Sequence, residues 1–199
     1  MKIFVLTVTL VLQVSFVFSQ DKYTTEMQTY QQELNAKFKD AKTSPLEGKE
    51  LKKFKGLPFF QTDSTFKILA KFTLVDSVET VQFNTTTDRK PLYDIYGILT
   101  FEIDSVQYRL FVYQSHSLRE REEYKDYLFL PFGDLTNGEL TYGGGRFIDM
   151  RIPIGDSVLL DFNKAYNPYC AYSQRYSCPI VPQENFLKLE IRAGVKYKK

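Results

Sequence analysis

The residues best suited to chemistry in this chain lie in its last third, around a run of three glycines. Gly143–Gly145 come directly before Arg146, and Tyr142 precedes them. Glycines inside a strand mark a bulge, a bend, or a place where another backbone or a ligand comes close. A guanidinium at such an opening can hold a carboxylate or a phosphate through two hydrogen bonds. The alternative for Arg146 is an internal salt bridge, for which the sequence offers Asp134, Asp161 and Glu184 as partners.

Carboxylates and amides follow after the next apolar strand. Asp161 and Asn163 flank Phe162, so in an extended chain their side chains share a face. Glu184 and its neighbour Asn185 close a long loop over residues 163–185, just before the predicted last strand. If this loop returns to Asp161, the two carboxylates form the pair that acid–base or glycoside-hydrolysing chemistry requires. A hydrogen-bond network that holds the loop shut is the alternative.

The same loop contains both cysteines of the chain, Cys170 and Cys178. In an exported protein two such cysteines are expected to form a disulfide, and unpaired thiols or a metal site are the alternatives. A structural zinc site needs about four ligands, whereas the one histidine of the chain, His116, lies far away in the sequence. The sequence therefore predicts a disulfide, and it predicts no metal and no cofactor.

Together these residues predict a polar hollow with the glycine opening as its floor and the 163–185 loop as its wall. Its catalytic candidates are Asp161 and Glu184. Its predicted ligand-binding residues are Tyr142, Arg146, Asp161, Asn163, Tyr166, Asn167, Glu184 and Asn185.

Four stretches of this region read LFLPFGDLTNGELTYGGGRF, LDFNKAYNPYCAY, CPIVPQENFL and AGVK. They resemble the signature of the bacterial domain-of-unknown-function 1684 family, and the likeness is specific over about residues 127–196. Upstream, FKGLPFF at 54–60 also fits a short, secreted form of that family. Because the family is uncharacterised, the resemblance implies a signature but no activity.

The first 19 residues are typical of a secretory signal peptide, with Lys2 before an apolar run that ends at Phe18. The run is shorter than the ~20 residues of a membrane-spanning helix. We therefore expect cleavage, no stable membrane insertion, and a periplasmic or secreted protein whose residues 20–199 form a single β-rich domain. The 26 basic and 24 acidic residues nearly balance, so nucleic acid is not an expected partner.

The elements that must position this chemistry are mostly strands. The spacing of apolar residues predicts an amphipathic helix over about residues 22–42. Strands are predicted at 66–74, 78–83, 95–103, 106–113, 128–132, 139–152, 157–162 and 186–193. Asp76-Ser77 and Asp104-Ser105 are predicted turns. Since helical connections between the strands are lacking, the pairing should be antiparallel. The predicted fold is mainly β: an antiparallel β sandwich or barrel with an N-terminal amphipathic helix.

Three functions follow from this pattern. The first is an exported protein that binds a small or extended polar ligand, either a small molecule or an envelope-derived one. The second is a hydrolase or lyase that uses Asp161 and Glu184, with Arg146 holding the charge of the substrate. The third is an envelope interaction protein in which the same residues are purely structural. The sequence leaves open which of these applies, and it leaves the oligomeric state open as well.

Overall fold

The structure, a computed structural model, describes residues 22–197, so the predicted signal peptide lies outside the described residues. Helix α1 spans residues 22–39, and two short helices follow: α2, Gly48–Lys53, and α3, His116–Arg119. The strands are β1, Lys67–Gln82; β2, Leu92–Ile103; β3, Val106–Ser115; β4, Tyr127–Phe132; β5, Arg146–Arg151; and β6, Ser157–Asp161.

The six strands form one sheet in the order β5-β4-β3-β2-β1-β6. Every neighbouring pair is antiparallel, which confirms the predicted antiparallel, mainly β architecture with an N-terminal helix. Although β5 and β6 lie at opposite edges of the sheet, only residues 152–156 join them. A flat sheet of six strands is about 24 Å wide, and five linking residues span at most about 20 Å. The sheet therefore curls into a half-barrel.

The first part of the sheet differs from the prediction, because residues 66–83 form no hairpin. β1 is one strand of 16 residues, and both of its halves pair with β2. The pairing shifts between Leu74 and Glu79, so the predicted turn at Asp76-Ser77 is a bulge within the strand. The next prediction is confirmed: β2 and β3 form a hairpin whose turn residues Asp104 and Ser105 have φ angles of 51° and 62°.

Two predicted strands are shorter or absent. The region 139–152 begins with turns and becomes a strand only at Arg146. Residues 186–193 form no strand. Part of the reason is that the guanidinium of Arg146 donates hydrogen bonds to the carbonyl oxygens of Ile191 and Ala193, where a strand partner would otherwise donate.

The main core lies where the sheet packs against residues 162–165 and 187–193. It contains fully or nearly fully buried side chains from all of these segments, among them Phe72, Leu99, Leu110, Leu130, Phe132, Phe162, Leu187 and Ile191. Burying an apolar side chain of this size contributes about 1.5–3 kcal/mol.

Helix α1 lies across the end of β6 and the start of the 163–185 loop. Its Tyr23 donates a hydrogen bond to Asp161, and its Tyr30 donates one to the backbone oxygen of Lys164 at 2.7 Å. Near the other end of the helix, Phe38 packs edge-to-face against Tyr169 and Tyr172 of the loop. The helix and the loop are thereby held against each other along most of the length of α1.

Candidate functional site

The structure does not bring the predicted site residues into one hollow, and Arg146 shows this most plainly. Its side chain is fully buried and forms a salt bridge with Asp134, whose side chain is also fully buried, at 2.8 Å. The guanidinium also donates to the carbonyl oxygen of Ile191 at 2.7 Å and stacks over the ring of Phe132 at 5.2 Å. Burial lowers the pKa of Arg146, and the charge of Asp134 opposes that shift. The structure therefore gives Arg146 an internal partner in place of the predicted ligand.

Asp161 and Asn163 do lie together, as predicted, but they join elements of the fold. The carboxylate of Asp161 accepts hydrogen bonds from Tyr23 at 2.9 Å and from the backbone N–H of Asn163 at 3.0 Å. The amide of Asn163 donates to the hydroxyl oxygen of Tyr23 at 2.8 Å and accepts from the backbone of Asp63 at 3.0 Å. These contacts tie α1 to the end of β6 and to the segment before β1.

Glu184 and Asn185 lie elsewhere. Glu184 accepts a hydrogen bond from Tyr113 at 3.3 Å and lines a cavity beside β3, whereas Asp161 lines a different cavity between β5 and β6. The side chain of Asn185 is fully buried and bonds to backbone groups of Phe111 and Pro131. It therefore joins β3 and β4, which share only one registered residue pair. The predicted carboxylate pair is thus not assembled.

The remaining predicted residues also divide between places. Tyr142 lines a surface hollow with Gly143 and Gly144. Asn167 is buried and donates to the backbone of Lys196 at 3.1 Å. At one position of the glycine run the structure requires glycine. The φ of Gly145 is +88°, and a Cβ there would lie 2.4 Å from the side chain of Val181 in the 163–185 loop.

Cys170 and Cys178 are free thiols in the structure, so the disulfide stays a prediction. They are neighbours in space, because the backbone N–H of Cys170 donates to Sγ of Cys178 at 3.2 Å. The hydrogen bond from the Cys178 thiol lowers the pKa of Cys170 to about 7. Within residues 22–197, no group of three or more His, Cys, Asp or Glu side chains is arranged to hold a metal ion.

A cavity of about 340 Å³ lies between α1, β5 and the 163–185 loop, and we call it the aromatic cleft. Its floor is formed by Phe147 and Asp149 of β5. The helix contributes Tyr30, Glu33, Leu34 and Lys37. The loop contributes Tyr166, Pro168, Tyr169, Tyr176, Ser177 and Cys178. Of the predicted ligand-binding residues, Tyr166 lies here.

The most distinctive group of the aromatic cleft is the carboxylate of Asp149. Its Oδ1 atom accepts hydrogen bonds from the phenols of Tyr166 at 2.5 Å and Tyr127 at 2.8 Å. Burial first, and the negative charge of Asp149 next, raise the pKa of both phenols, so they remain donors. Among the described residues, no Lys, Arg or His forms a salt bridge with Asp149. The cleft therefore presents a carboxylate that forms no salt bridge within residues 22–197, although Lys37 also lines the cleft.

Comparisons with known proteins agree with this fold. The model of the family described as a protein of unknown function, DUF1684, matches residues 52–196. The chain belongs to the DUF1684 family. The solution structure of an uncharacterized protein from Haloarcula marismortui is similar, with 31% sequence identity and a TM-score of 0.69, over 90% of this chain and 96% of that one. No curated protein matches the chain.

The DUF1684 match includes β5 and the 163–185 loop, which form the floor and one wall of the aromatic cleft. Helix α1 lies before the matched residues. Sequence reasoning missed Asp149, Tyr30, Tyr169 and Tyr176. Asp149 was not recognised because nothing distinguishes its position within the strand predicted at 139–152. The available signal was the density of tyrosine in the loop, where Tyr166, Tyr169, Tyr172 and Tyr176 recur within eleven residues.

Proposed function

We propose that this DUF1684 protein is an exported binding protein for a small or extended polar ligand, which it holds in the aromatic cleft. The observation that carries the proposal is the cleft itself, because it combines several aromatic rings with a carboxylate, Asp149, that forms no salt bridge with any described residue. Ligand sites in proteins are typically cavities of about 300–1,000 Å³ with mostly apolar and aromatic walls and a few fixed polar groups. The cleft matches this description in size and in lining.

The place of the cleft supports the predicted location in part. The hypothesis from sequence puts the ligand between the glycine-led strand and the 163–185 loop, and the cleft lies between β5 and that loop. The residues of the site differ from the predicted ones, since Asp149 of β5 takes the place of Arg146 as the charged group. The two phenols that donate to Asp149 hold its carboxylate in place before any ligand arrives, which reduces the entropy cost of binding.

Export is the second part of the proposal, and it is supported by the composition of residues 1–19. Within residues 22–197, no helix has the length and apolar character needed to cross a membrane. Expression of the full chain in a bacterial host tests export directly. The mature protein should appear in the periplasm or medium with an N-terminus near residue 20, and an intact Met1 on a cytoplasmic product would contradict it.

Binding is tested with a thermal-shift screen of polar metabolites and cell-wall fragments against the mature chain. A ligand that binds the folded state raises the melting temperature. Lys37→Trp places a large ring at the mouth of the cleft from an exposed helix position. Lys39→Trp makes the same change two residues later, outside the cleft lining, and is the matched control.

We expect at least one compound to stabilise the wild type and Lys39→Trp and to lose its effect on Lys37→Trp. Compounds that stabilise all three proteins equally bind somewhere else. A screen in which every hit behaves that way, or in which no compound binds, would refute the proposed binding function.

A further inference from the structure

The charges in and around the aromatic cleft indicate what kind of ligand it accepts. The lining contains two carboxylates, Asp149 and Glu33, and one ammonium group, Lys37. Both phenols that contact Asp149 donate to the same oxygen, Oδ1. A carboxylate accepts about four hydrogen bonds through its two oxygens, so Asp149 keeps capacity for a further donor.

Three other cationic side chains near Asp149 already form salt bridges with other carboxylates. Asp149 also borders the cavity between β5 and β6, which is lined by Arg151, Lys67 and Lys164 as well. Arg151 pairs with Asp126 at 2.6 Å. Both lysines pair with Glu26, Lys164 at 2.8 Å and Lys67 at 3.5 Å. Lys37 lines the cleft but forms no salt bridge with Asp149, so the carboxylate of Asp149 has no salt-bridge partner among the described residues.

The aromatic rings favour the same kind of ligand. Tyr30, Tyr166, Tyr169, Tyr176 and Phe147 all line the cleft. The face of an aromatic ring attracts a cation, and the attraction is stronger when the cation is removed from water. A Ca²⁺ or Mg²⁺ ion instead requires about six oxygen ligands, which one carboxylate and phenols do not supply. The surroundings therefore suit an organic cation.

We infer, on the basis of the proposed binding function, that the ligand of the aromatic cleft is an organic ammonium compound whose charged group contacts Asp149 and the surrounding tyrosine rings. The ammonium group supplies the cation that Asp149 lacks. The methylene or methyl groups on its nitrogen contact the rings, and the cavity of about 340 Å³ has room for a small molecule of this class.

The test compares two molecules of nearly the same shape, one of which carries a positive charge and the other no charge. Choline carries a trimethylammonium group, and 3,3-dimethylbutan-1-ol has an uncharged tert-butyl group in its place. Titration calorimetry measures both against the mature chain, with cadaverine as a primary diamine probe. We expect at least one ammonium probe to bind at least about tenfold more tightly than the neutral alcohol, which corresponds to the strength of a single desolvated cation–π or charge contact.

Variants locate the effect. Asp149→Asn removes the charge and keeps an oxygen that accepts from both phenols, so it should fold and lose about tenfold in ammonium affinity. Asp76→Asn is the matched control, because Asp76 is an exposed carboxylate that lies outside the cleft lining. Tyr176→Leu removes one ring and should weaken ammonium binding without altering affinity for the alcohol.

The outcomes separate this inference from the proposed function. If the neutral alcohol binds as tightly as both ammonium probes, or if Asp149→Asn keeps full ammonium affinity, the inference is overturned and a binding cleft remains. If no ammonium probe binds while other library compounds do, in a manner that Lys37→Trp abolishes, the inference also fails and the proposed function stands. If no compound of any class binds, both fail.

Discussion

Arg146 and Asp149 lie three residues apart on β5, and the first is buried whereas the second is exposed. An odd separation along a strand places two side chains on opposite faces of the sheet. Arg146 points into the interior, where it pairs with Asp134 and bonds to two backbone oxygens. Asp149 points outward into the aromatic cleft, where its carboxylate accepts hydrogen bonds from the phenols of Tyr127 and Tyr166.

Burial decides which of these two charges is free to bind a ligand. A charge sealed away from water must find its partners within the protein, because leaving it unpaired costs several kcal/mol. A charge at the surface of a cleft is under no such demand, so its unused hydrogen-bonding capacity is available to a ligand. The residue that the motif emphasises, Arg146, is therefore structural, and its neighbour Asp149 is the candidate for binding.

Breaking the interior pair should have the largest effect. Arg146→Met leaves the carboxylate of Asp134 buried without its cation, and we expect it to lower the free energy of unfolding by about 3–5 kcal/mol. Urea denaturation followed by circular dichroism measures this loss.

The double variant Arg146→Met with Asp134→Asn is the control for that prediction. Removing the orphaned charge should recover part of the stability, so the double variant should be less destabilised than the sum of the two single changes. An Arg146→Met protein within about 1 kcal/mol of the wild type that no longer binds ligand would reverse the comparison and restore Arg146 to the site.

A second carboxylate with internal partners should have an intermediate, pH-dependent effect. Asp94 is buried and accepts hydrogen bonds from His116 at 2.7 Å and from Thr80 at 2.6 Å, and it pairs with Arg119. Burial opposes its ionisation, but these hydrogen bonds outweigh burial and lower the pKa of Asp94 to about 2. Because the folded pKa lies below the unfolded value of about 3.9, the stabilisation is present above about pH 4 and disappears as the pH falls toward 2.

We therefore expect Asp94→Asn to cost about 2 kcal/mol at pH 7. The difference from the wild type should shrink as the pH falls from about 4 to about 2. Urea denaturation at a series of pH values measures it. A difference that stays constant down to pH 2 would mean that the charge of Asp94 does not carry the effect.

Changing Asp149 should have the smallest effect on stability. Asp149 is exposed, and Asn at this position still accepts from Tyr127 and Tyr166. Asp149→Asn should change the free energy of unfolding by less than about 1 kcal/mol, in the range of ordinary surface substitutions. The same urea experiment measures it, and a loss comparable to that of Arg146→Met would show that Asp149 is as structural as the interior pair.

The parts of the fold that follow from local pattern were predictable. The β2–β3 hairpin has alternating apolar residues on both sides of Asp104-Ser105, residues that tolerate positive φ, and it forms as expected. The Asp76-Ser77 turn was wrong because the same two residues also fit a bulge, and pairing of both halves of β1 with β2 decides between them. The strand at 186–193 was wrong because part of its hydrogen bonding goes to the Arg146 side chain, far away in the sequence.

The candidate site divides in the same way. A long irregular loop interrupted by Pro168, Pro179 and Pro182 can be recognised as something other than sheet, and it does form a wall of the cleft. The sequence could not show that α1 would pack against this loop, or that Asp149 would face the cleft between them. Those facts depend on contacts such as Tyr30 with Lys164, which join residues 134 positions apart.

The family, the mainly antiparallel strands, the N-terminal helix and the region with unusual chemistry could all be predicted, because they depend on residue types and short spacings. Which polar side chains are paired within the protein depends on contacts between distant segments. Arg146, Asp161, Asn163 and Asn185 find partners in distant segments, and Asp149 forms no salt bridge with any described residue. Whether a charged side chain is buried and paired or left open in a cleft depends on how the whole sheet curls, and no short stretch of residues contains that information.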